Sequence, residues 1–262
     1  MTYETLEFSV ADGIARIVLN RPDQANALNV TLAREMFAVS MLLATDPSVR
    51  AVLLTGRGKL FCGGGDLAAM ASAGAGREAM LLEMATLMHQ AVTRLAAMDA
   101  PVVVAVNGAA GGGGFSLLLA GDYIIASDKA KFVSGYTASG LTPDCSATHY
   151  LAKHVGLLRA KELMLTNRTL SANEALDWGL VSRVVAHDAL EAEAEAMVSQ
   201  FAAGPTKAYG GVKRLLQTAY SDTIEAQLEK EALSISGIMR TADAPHGIES
   251  FLNKKRPTFT GA

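Results

Sequence analysis

The order of apolar and polar residues predicts alternating strands and helices through the first half of the chain. Residues 4–10 and 13–19 predict a β-hairpin that turns at Asp12-Gly13. Amphipathic helices are predicted, from apolar residues at helical spacing, over residues 31–44 and 78–97. Strands are predicted over residues 49–55, 101–106 and 122–126. The continuous apolar run at 101–106 indicates a strand that is buried on both faces. This alternation indicates βαβ units around a mainly parallel sheet, and hence an α/β fold.

The second half of the chain, from Thr142 onward, has an almost wholly helical pattern. One further strand is predicted over residues 179–185. The helices are predicted over residues 190–201, 206–218, 224–240 and 245–253. They have no sheet of their own, so their apolar faces must be buried on the core or on another subunit. The small residues at 70–76 predict a mobile linker.

The composition narrows the classes of protein to which the chain can belong. Its 262 residues are 50% hydrophobic and 19% charged, which excludes a disordered chain. The formal net charge is −3 and no basic stripe stands out, so a nucleic-acid partner is not expected. A membrane partner is not expected either, since there is no signal pattern and no apolar run of the ~18 residues that a span needs. With two cysteines only, Cys62 and Cys145, the expected location is the reducing cytoplasm.

Two glycine-rich loops, residues 58–66 and 107–114, each follow a predicted buried strand, and the second leads into a helix predicted over residues 115–120. Glycine lets a ligand approach backbone N–H groups closely. Two such loops can therefore direct two amides at one oxygen, as an oxyanion hole does. The alternative is that the glycines only permit tight turns and close packing. The loops complete neither a dinucleotide-binding fingerprint nor a phosphate-binding loop.

Several motifs occur in one order along nearly the whole chain. They are Asn26-Ala27-Leu28, the loops at 61–67 and 106–114, Thr166-Asn167-Arg168, the segment 175–181 and the tail 251–259. Together they resemble the enoyl-CoA hydratase/isomerase (crotonase) superfamily. The resemblance implies a spiral of ββα units over residues 1–200 and a helical trimerisation region over residues 201–262. It also implies a homotrimer or hexamer that acts on an acyl-CoA thioester.

The resemblance also assigns roles to particular residues. The amides of Gly65 and Gly113 would form an oxyanion hole for the thioester carbonyl. The residues implied to contact the substrate are Gln24, Ala25 and Ala27 at the adenine, Gly63, Gly64, Asp66 and Leu67 near the pantetheine, Tyr136 at the acyl group and Lys254 at a phosphate. The coenzyme A belongs to the substrate, so no separate cofactor is expected. No His, Cys or Asp cluster has metal-ligand spacing, and no metal ion is expected.

The side chains that face the acyl group decide the reaction. Hydratases of this family hold water with two glutamates, and the matching residues here are Ser116 and Tyr136. Neither is a general base near neutral pH, so two-glutamate hydration is disfavoured. Asp144 is the remaining candidate, because isomerases of the family use a carboxylate at this position as the acid/base. From local pattern alone, Asp144 would instead complement the start of a helix that Thr142 caps.

A second resemblance, to 4-chlorobenzoyl-CoA dehalogenase, rests on residues 130–133, 162–170 and 177–184 and on His89-Gln90. It implies that Asp144 attacks the ring carbon and that His89 activates the water which cleaves the resulting ester. A lone histidine at the margin of an apolar helix face is, however, more often structural. The dehalogenase pocket is rich in aromatic residues, whereas the matching positions here are Leu87, Met88, Gly65 and Tyr136, which suit a flat halogenated ring less well.

The sequence therefore favours an acyl-CoA isomerase in which Asp144 is the acid/base. Two alternatives stay open at this point. One is a hydrolytic dehalogenase of a halobenzoyl-CoA, and the other is an acyl-CoA-binding protein without turnover.

Overall fold

Two sheets and eleven α-helices, with four short 3₁₀ turns, make up the computed structural model, which describes residues 2–262. The strands are β1 (Leu6–Ala11), β2 (Ile14–Leu19), β3 (Ala51–Gly56), β4 (Val102–Val106), β5 (Ala110–Gly111), β6 (Tyr123–Ser127), β7 (Lys131–Val133), β8 (Leu170–Ser171) and β9 (Arg183–Val185). The helices are α1 (Val30–Thr45), α2 (Leu67–Ser72), α3 (Arg77–Ala97), α4 (Gly112–Leu118), α5 (Ala147–Val155), α6 (Leu157–Thr166), α7 (Ala172–Asp177), α8 (Leu190–Ala202), α9 (Thr206–Thr218), α10 (Ile224–Ile238) and α11 (Asp243–Leu252). None of the helices in this described part combines the length and apolar character needed to cross a membrane.

The larger sheet has the strand order β1-β2-β3-β4-β6-β9, and it is mainly parallel as predicted. The antiparallel pair β1 and β2 forms the predicted hairpin, with Leu6 opposite Leu19. The later pairs in this sheet are parallel. At the hairpin turn Asp12 and Gly13 have φ values of 53° and 75°, the left-handed region that these two residue types tolerate.

Helices cover both faces of the larger sheet. Along β3, Val52 and Leu54 face the main core, to which α1 and α3 contribute their buried side chains. The alternate residues Ala51 and Leu53 face the opposite side, where they pack in a cluster with α8. This alternation is the period of two expected of a strand that is buried on both faces.

A second sheet joins β5, β7 and β8, and the apolar pattern did not predict it. Its strands are two or three residues long, too short for a period of two to stand out. β5 is part of the second glycine-rich loop, and it pairs in parallel with β7 so that Ala110 lies opposite Phe132. The small sheet therefore fixes that loop beside the residues that follow β7.

The prediction of a mobile linker at residues 70–76 is wrong. The segment belongs to α2 and to a 3₁₀ turn at Gly74–Gly76. Helix α2 begins where it does because the Asp66 carboxylate caps it, accepting a hydrogen bond from the Ala69 amide at 3.0 Å. The small residues of this segment therefore form helical turns at the surface.

The predicted helix starts near residues 115 and 142 are also displaced. Helix α4 begins at Gly112, so the glycines of the second loop form its first turn. Helix α5 begins only at Ala147, because Cys145 and Ser146 have φ values of 50° and 72° that interrupt a right-handed helix. Thr142 therefore caps no helix, and Asp144 lies in a loop ahead of α5.

Helices α9, α10 and α11 form a C-terminal group, and Lys213 of α9 makes buried contacts with the core. The Lys213 ammonium donates to the Leu95 and Ala100 carbonyls at 3.0 Å and lies 2.7 Å from the Asp122 carboxylate. Large apolar side chains of this group stay exposed, namely Val212, Leu216, Tyr220, Ile224, Leu228, Leu233, Ile235, Met239, Ile248, Phe251 and Leu252. The boundary predicted between residues 200 and 201 falls within α8 and stays a prediction.

Candidate active site

The two glycine-rich loops are joined to each other by backbone hydrogen bonds. The Gly111 amide donates to the Cys62 carbonyl at 2.9 Å, and the Phe61 amide donates to the Ala109 carbonyl at 3.1 Å. Cys62 and Ala110 thus form an isolated parallel bridge. The sequence placed each loop after a buried strand, and the structure brings the two loops side by side.

The backbone hydrogen bonds around Gly65 leave its own amide without an acceptor among the residues that the structure describes. The Leu28 amide donates to the Gly64 carbonyl at 2.7 Å, and the Asp66 amide donates to the Leu28 carbonyl at 2.9 Å. In the described residues no hydrogen bond takes up the Gly65 amide. Gly113 lies in the first turn of α4, where helix geometry provides no intrahelical acceptor. Gly65 and Gly113 both line one cavity.

This cavity has a volume of about 380 Å³ and lies between the two loops, α3 and the segment that follows β7. Its lining is mostly aliphatic or sulfur-containing. The apolar side chains are Leu28, Leu67, Met70, Leu81, Met84, Ala85, Met88, Val133 and Leu141. Tyr136 supplies an aromatic ring, while Leu87, which the sequence placed here, packs against the core instead. Of the described residues that line the cavity, Asp144 alone carries a carboxylate.

A hydrogen-bonded row of side chains runs from α4 to Asp144. The hydroxyls of Ser116 and Tyr136 are 2.8 Å apart, and the Tyr136 hydroxyl donates to Asp144 Oδ1 at 2.6 Å. Ser116 is fully buried, and Tyr136 is 8% exposed. Burial, followed by the neighbouring Asp144 charge, raises the pKa of Tyr136, so the phenol stays a hydrogen-bond donor. Positions 116 and 136 therefore orient the carboxylate and supply no base of their own.

His89, on α3, contacts the loop that carries Asp144. Its Nε2 atom accepts a hydrogen bond from the Cys145 amide at 3.1 Å and lies 4.0 Å from Asp144 Oδ2. About half of the His89 side chain is exposed to solvent. The structure thus brings His89 and Asp144 together from positions far apart in the sequence, although His89 lies at the margin of the cavity rather than in its lining.

No metal site was expected from the spacing of His, Cys and Asp residues, yet the ligand atoms of His89, Asp144 and Cys145 lie within 4.8 Å of one another. Two features disfavour a cation there. Burial raises the pKa of the Cys145 thiol, and the Nε2 lone pair of His89 is taken up by an amide. Burial likewise raises the pKa of Cys62 to about 12. Neither thiol is therefore poised as a nucleophile.

The residues implied to bind coenzyme A lie in two places. Ala25 supports the first loop, accepting a hydrogen bond from the Gly63 amide at 2.8 Å, and Gln24 and Ala27 lie in the same segment. Leu67 lines the cavity and is half exposed. Lys254 follows α11 as an exposed residue that does not line the cavity of its own chain.

A buried asparagine and a half-buried arginine hold these segments together, a role that the sequence did not indicate for either. The Asn26 side chain is fully buried and donates to the carbonyls of Leu60 and Phe61, at 2.9 and 3.1 Å. Arg21 lies 3.0 Å from the Asp66 carboxylate and also donates to the Ala27 carbonyl. Asn26 belonged to a recognised motif, but no sequence pattern could name its acceptors.

Comparison with known proteins places the chain among acyl-CoA enzymes. The model of the enoyl-CoA hydratase/isomerase family matches residues 9–262. The chain is 36% identical over 261 residues to “Probable enoyl-CoA hydratase” of Rhodobacter capsulatus, with 100% of each chain covered. It is 35% identical over 255 residues to 1,2-epoxyphenylacetyl-CoA isomerase of Escherichia coli, covering 96% of this chain and 97% of the relative. It is also 35% identical over 239 residues to 4-chlorobenzoyl coenzyme A dehalogenase-2 of an Arthrobacter species, covering 91% and 86%.

The fold is shared with solved structures. A crystal structure of an enoyl-CoA hydratase/isomerase from Mycobacterium abscessus superimposes with a TM-score of 0.92 at 35% identity, covering 98% of this chain and 100% of that one. This confirms the predicted crotonase-type α/β fold. The relatives carry the names of different reactions, so they define the family and leave the reaction to the side chains of the cavity. The chain belongs to the enoyl-CoA hydratase/isomerase family.

Proposed function

We propose that this protein is an acyl-CoA isomerase in which Asp144 moves a proton between two carbons of the acyl group. The observation that carries the proposal is that Asp144 is the one carboxylate among the described residues lining the cavity. The two glutamates needed for hydration are missing, because Ser116 and Tyr136 occupy the matching positions. Their hydroxyls hydrogen bond to each other. The name of the Escherichia coli relative, at 35% identity, supports an isomerase.

The reaction needs a polarised carbonyl and a single base. The amides of Gly65 and Gly113 donate to the thioester oxygen, which stabilises negative charge there and makes a neighbouring C–H more acidic. With a 3-enoyl thioester, the Asp144 carboxylate takes a proton from C2, and the electron pair moves into a dienolate. The carboxylic acid returns the proton to C4, and the double bond moves to C2=C3. No electrons are gained or lost overall.

Tyr136 has a positioning role in this scheme. Its hydroxyl holds Asp144 Oδ1 at 2.6 Å, which leaves the other carboxylate oxygen for proton transfer. Ser116 holds the phenol in turn.

The lining of the cavity favours an aliphatic or non-planar acyl group. Met70, Met84 and Met88 supply flexible thioether side chains that adapt to irregular shapes. Flat aromatic rings gain from stacking on other aromatic rings, and Tyr136 is the aromatic residue among those that line the cavity. We therefore place 3-enoyl and ring-derived non-aromatic acyl-CoA thioesters ahead of halobenzoyl-CoA as substrates.

The test is a turnover screen of the purified protein with 3-enoyl-, 2-enoyl-, ring-epoxide and halobenzoyl-CoA substrates. We expect isomerisation of a 3-enoyl- or ring-epoxide-CoA, undiminished by prior treatment with EDTA. The Asp144→Asn variant should lose about 10²–10⁴-fold in kcat on that substrate, as expected for a general base. An Asn variant with undiminished turnover would contradict the proposal, as would tight binding of these thioesters without turnover of any.

A hydrolytic dehalogenase is the second candidate, since His89 lies 4.0 Å from Asp144 and a dehalogenase is among the relatives. In that reaction Asp144 displaces chloride from the ring carbon, and water then cleaves the aryl ester. Chloride release from 4-chlorobenzoyl-CoA in the same screen would establish this candidate, and no release would remove it.

The placement of coenzyme A and the assembly are further parts of the proposal. The adenine would lie near Gln24, Ala25 and Ala27, and Lys254 would reach a phosphate from a neighbouring subunit. The exposed apolar side chains of α9, α10 and α11 support self-association as a trimer or hexamer. The cytoplasm is the proposed location, supported by two free cysteines.

A further inference from the structure

His89 directs one ring nitrogen at the backbone of the loop that carries Asp144. The Nε2 atom accepts the Cys145 N–H at 3.1 Å. A ring nitrogen that accepts from an N–H carries no proton, so the proton of the imidazole is on Nδ1. The same Nε2 atom lies 4.0 Å from Asp144 Oδ2, which is beyond hydrogen-bonding distance.

The turn that His89 contacts has a strained backbone. Cys145 and Ser146 follow Asp144 with φ values of 50° and 72°, a region that residues with a Cβ atom adopt at a cost. Such a conformation persists only where surrounding contacts hold it. The Ala147 amide donates to the Asp144 carbonyl at 3.0 Å, but this bond lies within the turn itself. The bond to His89 connects the turn to α3.

We propose that His89 is a positioning residue that holds this strained turn and so fixes the direction of the Asp144 carboxylate. Tyr136 holds Oδ1, and His89 holds the backbone one residue further on. The inference rests on the proposed role of Asp144 as acid/base. It differs from the base role that the dehalogenase resemblance implies, because the Nε2 lone pair is already occupied and Nδ1 carries the proton. His89 then has no acceptor for a proton from water.

The test uses two variants that separate an acceptor from a base. His89→Gln keeps an oxygen acceptor at about the reach of Nε2 and cannot act as a base, whereas His89→Leu removes both. We expect Leu to lower kcat about 10–10²-fold with KM within about threefold, since misplacing a reacting group costs rate. We expect Gln to keep kcat within about fivefold of the wild type. Gln90→Leu, at the neighbouring exposed position of α3, should behave like the wild type.

Three results would overturn the positioning role. The first is a Gln variant as slow as the Leu variant, and the second is a Leu variant with wild-type kcat. The third is an aryl ester on Asp144 that accumulates when the Gln variant meets 4-chlorobenzoyl-CoA, detected by intact mass. If His89→Leu does not fold, His89→Ala replaces it in the comparison. Asp144→Asn distinguishes the two proposals, because a fully active Asn variant removes the acid/base assignment whatever His89 does.

Discussion

Individual glycines of the two loops have different roles. Some allow backbones to pack closely, and others present an amide to the cavity. A Cβ at Gly108 would lie 2.0 Å from the Lys59 carbonyl oxygen, and one at Gly114 would lie 2.4 Å from the Cys62 carbonyl oxygen. These two residues are glycine because backbones pack closely there. Gly65 and Gly113 instead line the cavity, where their amides are available to a ligand. The sequence could not separate the two groups, because closeness to another segment is a tertiary property.

Gly64 has a backbone conformation and close surroundings that favour glycine. Its φ is +108°, and a Cβ would lie 2.9 Å from the Gly111 carbonyl oxygen. We expect Gly64→Ala to lower the free energy of unfolding by about 2 kcal/mol. We also expect kcat to fall about 10²-fold because the adjacent Gly65 amide is displaced. Gly76→Ala is the matched control, with open space at its Cβ position, and should change neither quantity appreciably. Equal urea midpoints and rates for the two variants would contradict this account.

At the scale of the elements, the sequence predicts long segments better than short ones. The hairpin, the sheet and the long helices α1 and α3 follow the predicted pattern, because many residues contribute to each periodicity. Helix α2 was missed although its cap, Asp66, was already a candidate for the substrate site. In the structure Asp66 both caps α2 and pairs with Arg21. An acidic residue named by resemblance as part of a binding site thus also has a structural role.

The pH dependence of stability should report on Asp66. The Ala69 amide, helped by Arg21, lowers the pKa of Asp66 in the folded state. The stabilisation is therefore fully present above the unfolded pKa of about 3.9 and is lost as the pH falls through the lower folded value. We expect Asp66→Asn, which can still cap, to be less stable than the wild type by about 1 kcal/mol at pH 7. In urea unfolding the difference should shrink below about pH 4, and a constant difference down to pH 3 would refute this.

One buried cation, Lys213, contributes to the attachment of α9 to the core. The Lys213 side chain is 8% exposed, and Lys213→Met would leave the Asp122 carboxylate without its partner. We expect a loss of about 3 kcal/mol in the free energy of unfolding. The double variant Asp122→Asn/Lys213→Met should recover part of that loss, because neither charge is then left unpaired. If urea unfolding gives less than 1 kcal/mol for the single variant, this ion pair does not hold α9 in place.

At the scale of the whole molecule, the C-terminal helices expose many large apolar side chains. Ile235 is 71% exposed on α10, and Phe251 is 82% exposed at the end of α11. A fold that exposes side chains of this kind along three successive helices gains free energy by covering them. The proposed self-association would do this, and it would bring Lys254 within range of a second subunit.

Sedimentation of the wild type should give a trimer or hexamer, and Ile235→Glu should shift it toward monomer, since a buried charge opposes association. Leu82→Glu, at a position 69% exposed on α3, is the matched control and should keep the assembly. A monomeric wild type at micromolar concentration would contradict the proposed assembly.

The sequence by itself determined the α/β class, the hairpin, the parallel sheet and the family, because these depend on periodicity and on motifs of neighbouring residues. It also named Asp144, His89, Gly65 and Gly113 one by one. Only the tertiary structure decided that the two loops are hydrogen bonded to each other and that Tyr136 donates to Asp144. It also decided that the lone pair of His89 is occupied by the Cys145 amide. The physical reason is that hydrogen bonds between distant segments decide which donor and acceptor atoms of a side chain remain free to react. Such bonds produce no periodic pattern in the sequence.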